Sequence, residues 1–184
     1  MKLFMVMLGC RPKGRFTEQH DVFFGIGNTL KDLIPEMKAF WPEAKGKIHV
    51  DVWREVTAVE NCLIEIIAKK ETEISENQLF FINLGGYKEN EFEEFHYKML
   101  AVGNKMSDAV TKSKATTFYK HCGFKGATSH IDDKFGIDID DIYNVREILE
   151  LDLKDKFSLK ITKSNTKLID DKLHVGYLKL EKIV

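Results

Sequence analysis

The amino-acid sequence predicts an α+β fold: two tandem β-α-β-β repeats packed with pseudo-two-fold symmetry, with one or two mixed sheets against two long helices. Three observations predict it. The first is internal self-similarity. Residues 3–28 and 79–104 align without a gap at an offset of 76, and Leu3, Phe4, Leu8, Gly9, Phe16, Glu18, His20, Gly27 and Asn28 recur as Leu79, Phe80, Leu84, Gly85, Phe92, Glu94, His96, Gly103 and Asn104. Ordinary composition would give on the order of two identities by chance over such a stretch. The second is a short apolar run ending in glycine at the head of each copy, as in a strand buried on both faces. The third is apolar residues at three-to-four spacing after each run.

The elements follow in order. Leu3–Leu8 and Leu79–Leu84 are the opening strands. His20, Phe23, Phe24, Gly27, Leu30, Ile34, Met37 and Trp41 predict a long first helix, capped by Thr17 and kinked or ended near Pro35. His96, Met99, Leu100, Gly103, Met106 and Val110 predict its counterpart, with Asn90 and Glu93 as a capping box. Strands are expected over 47–56 and 62–69, the second rich in β-branched residues. The second copy carries an insertion in which Asp140 and Asp141 open a short helix to Leu149. Its last strands are expected over 157–162 and 174–180. The boundaries drawn from this are 1–74 for the first repeat and 75–184 for the second, in one compact body, with a polar connector over 71–78. Units this small bury too little surface to be robust alone.

Composition narrows the function. The chain has 184 residues, 43% hydrophobic and 31% charged, with 28 Lys and Arg against 29 Asp and Glu. This describes an ordinary folded protein, not a disordered or fibrous one. A net charge of −1 gives no global reason to expect nucleic acid or an anionic membrane as partner. No apolar run approaches the roughly 20 residues needed to span a bilayer, and the N-terminus lacks a secretory pattern. Three cysteines (Cys10, Cys62, Cys122) without a CxxC motif point to reduced thiols and a cytoplasmic setting.

The stretch LGCRPKGRFTEQHDVFFG, with LKDLIPEMKAFWPEA and KIHVDVWREV after it, resembles a small, largely bacterial family known as a domain of unknown function, number fifteen-forty-three, which occurs once or twice per chain. The resemblance covers residues 3 to about 56 closely and 79 to about 132 as a diverged second copy. It implies no activity, substrate or cofactor. The second copy departs from the motif at Tyr87, Lys88, Glu89, Asn90 and Glu91, where the first has Arg11, Pro12, Lys13, Gly14 and Arg15. Residues 11–15 carry a charge of +3 and residues 87–91 a charge of −1.

That asymmetry makes Arg11, Lys13 and Arg15 ligand-binding candidates. Beside a helix N-terminus they would hold a phosphate or carboxylate. In the alternative, the basic loop pairs with Glu89, Glu91 or nearby acids. Glu18 and His20 fall at the same place, and His20 is a general acid–base candidate. Its recurrence as His96 favours instead a structural histidine bonded to the turn. His49-x-Asp51 puts an imidazole and a carboxylate on one face of a strand. With His20 they form a candidate metal set, His20, His49 and Asp51; His130-x-Asp132 repeats the pattern. Trp53 could edge a ligand or pack in the core. Cys10, before Arg11, is a candidate nucleophile with His20 as base, or an inert thiol filling space. Gly25-x-Gly27 lacks a third glycine, and Asp138-x-Asp140-Asp141 lacks the glycine and terminal Glu of a calcium loop. GxxxxGK[ST], HExxH and GxSxG are absent from the sequence.

The leading expectation is therefore a small cytoplasmic binding module for an anionic small molecule or an acidic segment at the basic loop. The alternative is a hydrolase- or transferase-like enzyme built on Cys10 or on His20 and His49, with or without a metal. Assembly through open sheet edges into a homodimer is a third.

Overall fold

The computed structural model describes residues 1–69, 76–116, 120, 130–131 and 142–184. The chain divides into two units, Met1–Glu71 with Leu149–Val184, and Thr72–Ile148.

In the first unit the opening apolar run forms strand β1 (Lys2–Cys10). The residues after the loop, expected to be helical, form strand β2 (Gln19–Gly27), which pairs with β1 from Lys2↔Gly27 to Cys10↔Gln19. This corrects the first of the two long helices. The three-to-four spacing misleads because Val22 to Gly27 are buried on both sides of the ladder, so no alternation is visible. Two glycines within VFFGIG argue against a helix, where each costs roughly 1 kcal/mol. In the strand they admit a close neighbour: a Cβ on Gly25 would meet the Phe23 ring and Leu33. The helix that does form, α1 (Ile34–Phe40), takes Pro35 in its first turn, where a missing amide costs nothing. Thr17 caps nothing; the turn before α1 is held by Asp32 Oδ2, which accepts from the amides of Asn28 and Thr29 at 3.1 and 3.0 Å.

Strand β3 (His49–Glu55) lies on the other side of β1. A second sheet is built from β4 (Ala58–Val59) and β5 (Cys62–Ala68). Phe4, Val6, Leu8 and Cys10 of β1 face a core with Phe23, Leu33, Met37 and Val50.

Strand β6 (Gln78–Tyr87) pairs with β7 (Glu94–Gly103) in the second unit. β7 replaces the second expected long helix, and Asn90, with a positive φ of 66°, sits in the connecting turn instead of capping a helix. Helix α2 (Met106–Lys114) follows, its start held by Asp108 Oδ2 accepting from Asn104 and Lys105 at 3.0 and 3.2 Å. Strands β8 (His130–Ile131) and β9 (Ile142–Asn144) also pair with β6, and α3 (Val145–Ile148) ends the unit. Its core holds Phe80, Ile82, Leu84, Ala101, Ala109 and Ile142. Cys122, Asp132 and the acidic run Asp138 to Asp141 lie outside the described residues.

Residues 149–184, expected within the second repeat, pair with the first unit. After α4 (Leu151–Lys156), β10 (Phe157–Lys163) pairs with β5 and β11 (His174–Lys179) pairs with β3. The intervening segment is tied down: Asp171 accepts from the amide and hydroxyl of Thr57, and Asn61 bonds the Ser164 carbonyl and the Leu168 amide. The first unit thus has sheets ordered β11-β3-β1-β2 and β10-β5-β4. Every pairing between described strands is antiparallel, which corrects the expected mixed sheets. A parallel pair needs a long crossover, and the segments expected to provide it are themselves strands. The protein is α+β, with antiparallel sheets and few helices.

A histidine and carboxylate cluster over Gly9

Gly9 pairs with His20 of β2 on one side and with His49 of β3 on the other. Directly opposed residues share a face, so the two imidazoles flank a position that has no side chain. Glu18 precedes His20 by two and Asp51 follows His49 by two, which brings both carboxylates to the same face. Asp51 sits at a bulge, where the register steps from Leu8↔Val50 to Met7↔Val52.

The result is a ring of alternating groups. His49 Nε2 stands 3.2 Å from Glu18 Oε1 and 3.3 Å from Asp51 Oδ1. His20 Nε2 stands 3.3 Å from Asp51 Oδ2 and 3.9 Å from Glu18 Oε2. His49 is 6% exposed, whereas the side chains of Glu18 and His20 are 45% and 44% exposed. His49 Nε2 and Asp51 Oδ2 are buried and have no hydrogen bond. A Cβ on Gly9 would collide with both of those atoms, so glycine is required as the floor of the cluster. Among the described residues, no group of three or more His, Cys, Asp or Glu side chains could hold a metal ion.

His49 also lines a surface cavity of about 400 Å³ with Lys38, Lys47, Tyr177, Lys179 and Glu181. Tyr177 packs on the His49 ring with centroids 4.3 Å apart. Lysines from α1, the loop before β3 and β11 converge here, against one glutamate. Nothing in the sequence marks this site, because its residues lie up to about 140 positions apart and become neighbours only when β11 pairs with β3.

The remaining candidates fall elsewhere. Arg11, Lys13 and Arg15 are exposed in the β1–β2 hairpin loop. A strand follows that loop, so the helix N-terminus expected to assist them is not there. Cys10 is buried in the core, and burial, then the charge of Glu18, pushes its thiol pKa up. This is the reverse of what a nucleophile needs. Trp53 packs at the core edge, 6.1 Å from Phe4 and stacked on His174 at 4.0 Å.

In the second unit Gly85 likewise pairs with His96 and His130. His96 Nε2 lies 3.8 Å from Glu94, and its Nδ1 lies 3.0 Å from the Asn83 side chain.

Residues 15–66 match a sequence family described as Domain of Unknown Function (DUF1543). That segment contains Glu18, His20, His49 and Asp51. The chain is also similar to the crystal structure of a protein Il1583 from Idiomarina loihiensis, with a TM-score of 0.57 and 19% identity over 97% of each chain. At that identity the likeness is one of fold. No curated protein matches the chain. Among the described residues, no helix is long and apolar enough to cross a membrane.

Proposed function

We propose that this protein is a binding module for an anionic small molecule bearing a phosphate or carboxylate, held in the lysine-walled cavity of the first unit. The observation that carries this is the cavity itself: Lys38, Lys47 and Lys179 face it against a single acid, Glu181, beside the Tyr177 and His49 rings. Its volume suits a small ligand, and ammonium groups attract phosphate as point charges. The exposed basic hairpin, Arg11, Lys13 and Arg15, is the second place an anion could be held. The same reading treats the two units as diverged copies of one ancestor. Supporting it are the equal offset of the two hairpin registers, the aspartate-held turn after each, and a His–Gly–His row in each unit. A cytoplasmic setting agrees with the free thiols of Cys10 and Cys62.

A thermal-shift screen tests the binding site. The panel holds inorganic phosphate, pyrophosphate, nucleotides and di- and tricarboxylates at two salt concentrations. Its proteins are the wild type, the Lys47→Glu/Lys179→Glu variant and the Arg11→Glu/Arg15→Glu variant. A ligand at 100 times its Kd adds roughly 2.7 kcal/mol to wild-type stability. The shift is expected to vanish in the lysine variant and persist in the arginine variant. The reverse pattern would move the site to the hairpin.

A further inference from the structure

We infer that the chain associates with a second copy of itself through its hairpin tips, the basic tip of the first unit in one copy receiving the acidic tip of the second unit in another. This goes beyond the anion reading and does not depend on it. The two tips share one backbone shape. In the β1–β2 hairpin the Arg15 amide donates to the Pro12 carbonyl at 3.2 Å, and in the β6–β7 hairpin the Glu91 amide donates to the Lys88 carbonyl at 3.3 Å. Each is a four-residue turn with a positive φ at its third residue, 84° at Gly14 and 66° at Asn90. Glycine and asparagine accept that conformation. A phenylalanine, Phe16 or Phe92, comes directly after each turn.

Both phenylalanines stand in water. Phe16 is 98% exposed and Phe92 fully so. A single exposed apolar residue is ordinary. Here a whole aromatic ring, able to bury about 150–250 Å², stands at the same place on two tips of the same shape. Two such rings brought together pair edge to face or offset and leave water at once.

Charge decides which tip meets which. Residues 11–16 hold Arg11, Lys13 and Arg15 and no acid, whereas residues 88–93 hold Glu89, Glu91 and Glu93 against Lys88 alone. Lys88 Nζ lies over the Phe95 ring of its own hairpin, 4.2 Å from the centroid, so the glutamates set the sign of that tip. All three bases and all three acids are exposed. Among the described residues none of the six has an ion-pair partner. Like tips repel and unlike tips attract. Each tip therefore finds its complement, in ring and in charge, on another copy of the same chain. The contact is small, which places it among weak, salt-sensitive associations.

Analytical ultracentrifugation of the full chain over a concentration series tests this. The average mass of the wild type is expected to rise with concentration, reversibly, and to fall back toward the monomer in high salt. Arg11→Glu/Arg15→Glu makes both tips acidic, and Glu89→Lys/Glu91→Lys makes both basic. All four side chains are exposed, and circular dichroism checks that each variant folds. Either variant alone is expected to associate about tenfold more weakly than wild type or not at all. An equimolar mixture of the two is expected to restore association, because each then meets a tip of opposite sign. Phe16→Ser and Phe92→Ser are each expected to weaken it. The Lys47→Glu/Lys179→Glu variant is expected to associate as the wild type does, which separates this proposal from the anion reading. A wild type that stays monomeric at the highest concentration in low salt would overturn it. So would association that both charge variants retain, as pairing through sheet edges would give, or a mixture no stronger than either variant alone.

Discussion

Gly9 is the residue on which the cluster turns. A methyl group there has nowhere to go, because it would strike His49 and Asp51, one buried and the other lodged in a bulge. Gly9→Ala is therefore expected to destabilise the protein by about 1–3 kcal/mol, in the manner of an overpacked core. A lower urea midpoint at unchanged slope is the measurement. Cys10 gives a second prediction: a thiol reagent should leave it unmodified in the native protein and modify it only after unfolding. Glu36 gives a third. Burial, and then the charge of Glu150, raises its carboxyl pKa above the ordinary 4.5, and its Oε2 has no partner. The ionised form is the one penalised, so the cost is full above the raised pKa and is relieved as pH falls, disappearing below about 4.5. Glu36→Gln is expected to stabilise the protein at neutral pH by less than about 1 kcal/mol, given its partial exposure. Thermal melts across pH should show that gain fading in acid. At this scale the sequence was informative in part. The types and pairings of His49-x-Asp51 and Glu18-x-His20 were visible, but their meeting over Gly9 depends on a register that no local pattern encodes.

Among the elements, the strands β1, β3, β5, β10 and β11 fall where apolar runs and β-branched residues put them, within a residue or two. The two hairpin return strands do not. In β2 and β7 one end of the strand is covered on both faces, and full burial erases the two-residue alternation that separates a strand from a helix. The glycines of VFFGIG were the available warning. The turns after these strands supply an element-scale prediction. Above all the Thr29 backbone amide, with smaller help from Asn28, holds the Asp32 carboxyl below its ordinary pKa. That contribution is present above the ordinary carboxylate range and is lost as pH falls through the depressed value. Asp32→Ala is expected to melt at lower temperature than wild type near neutrality. The gap should narrow as acid protonates Asp32 in the native protein, which differential scanning calorimetry would follow.

The first unit takes its last two strands from the far end of the chain. β10 completes the sheet of β5, and β11 forms one edge of the sheet that holds the cluster and closes the wall of the cavity. A chain ending at residue 148 is expected to lose the native fold of the first unit, with exposed β5 and β3 edges and poor solubility. Circular dichroism and a one-dimensional proton spectrum would report it. Repeat alignment could not foresee this, because strands 157–163 and 174–179 pair with partners about 90 to 130 residues away, held by Thr57–Asp171 and the Asn61 contacts. The same pairing hides the cavity from the sequence and makes its lysines neighbours. The most direct measurement on the account as a whole is therefore an NMR titration of the isotopically labelled full chain with inorganic phosphate and pyrophosphate. Binding in the lysine-walled cavity predicts saturable amide shifts centred on residues 46–49 and 177–181. Shifts confined to residues 11–15, or none at either segment, would contradict it.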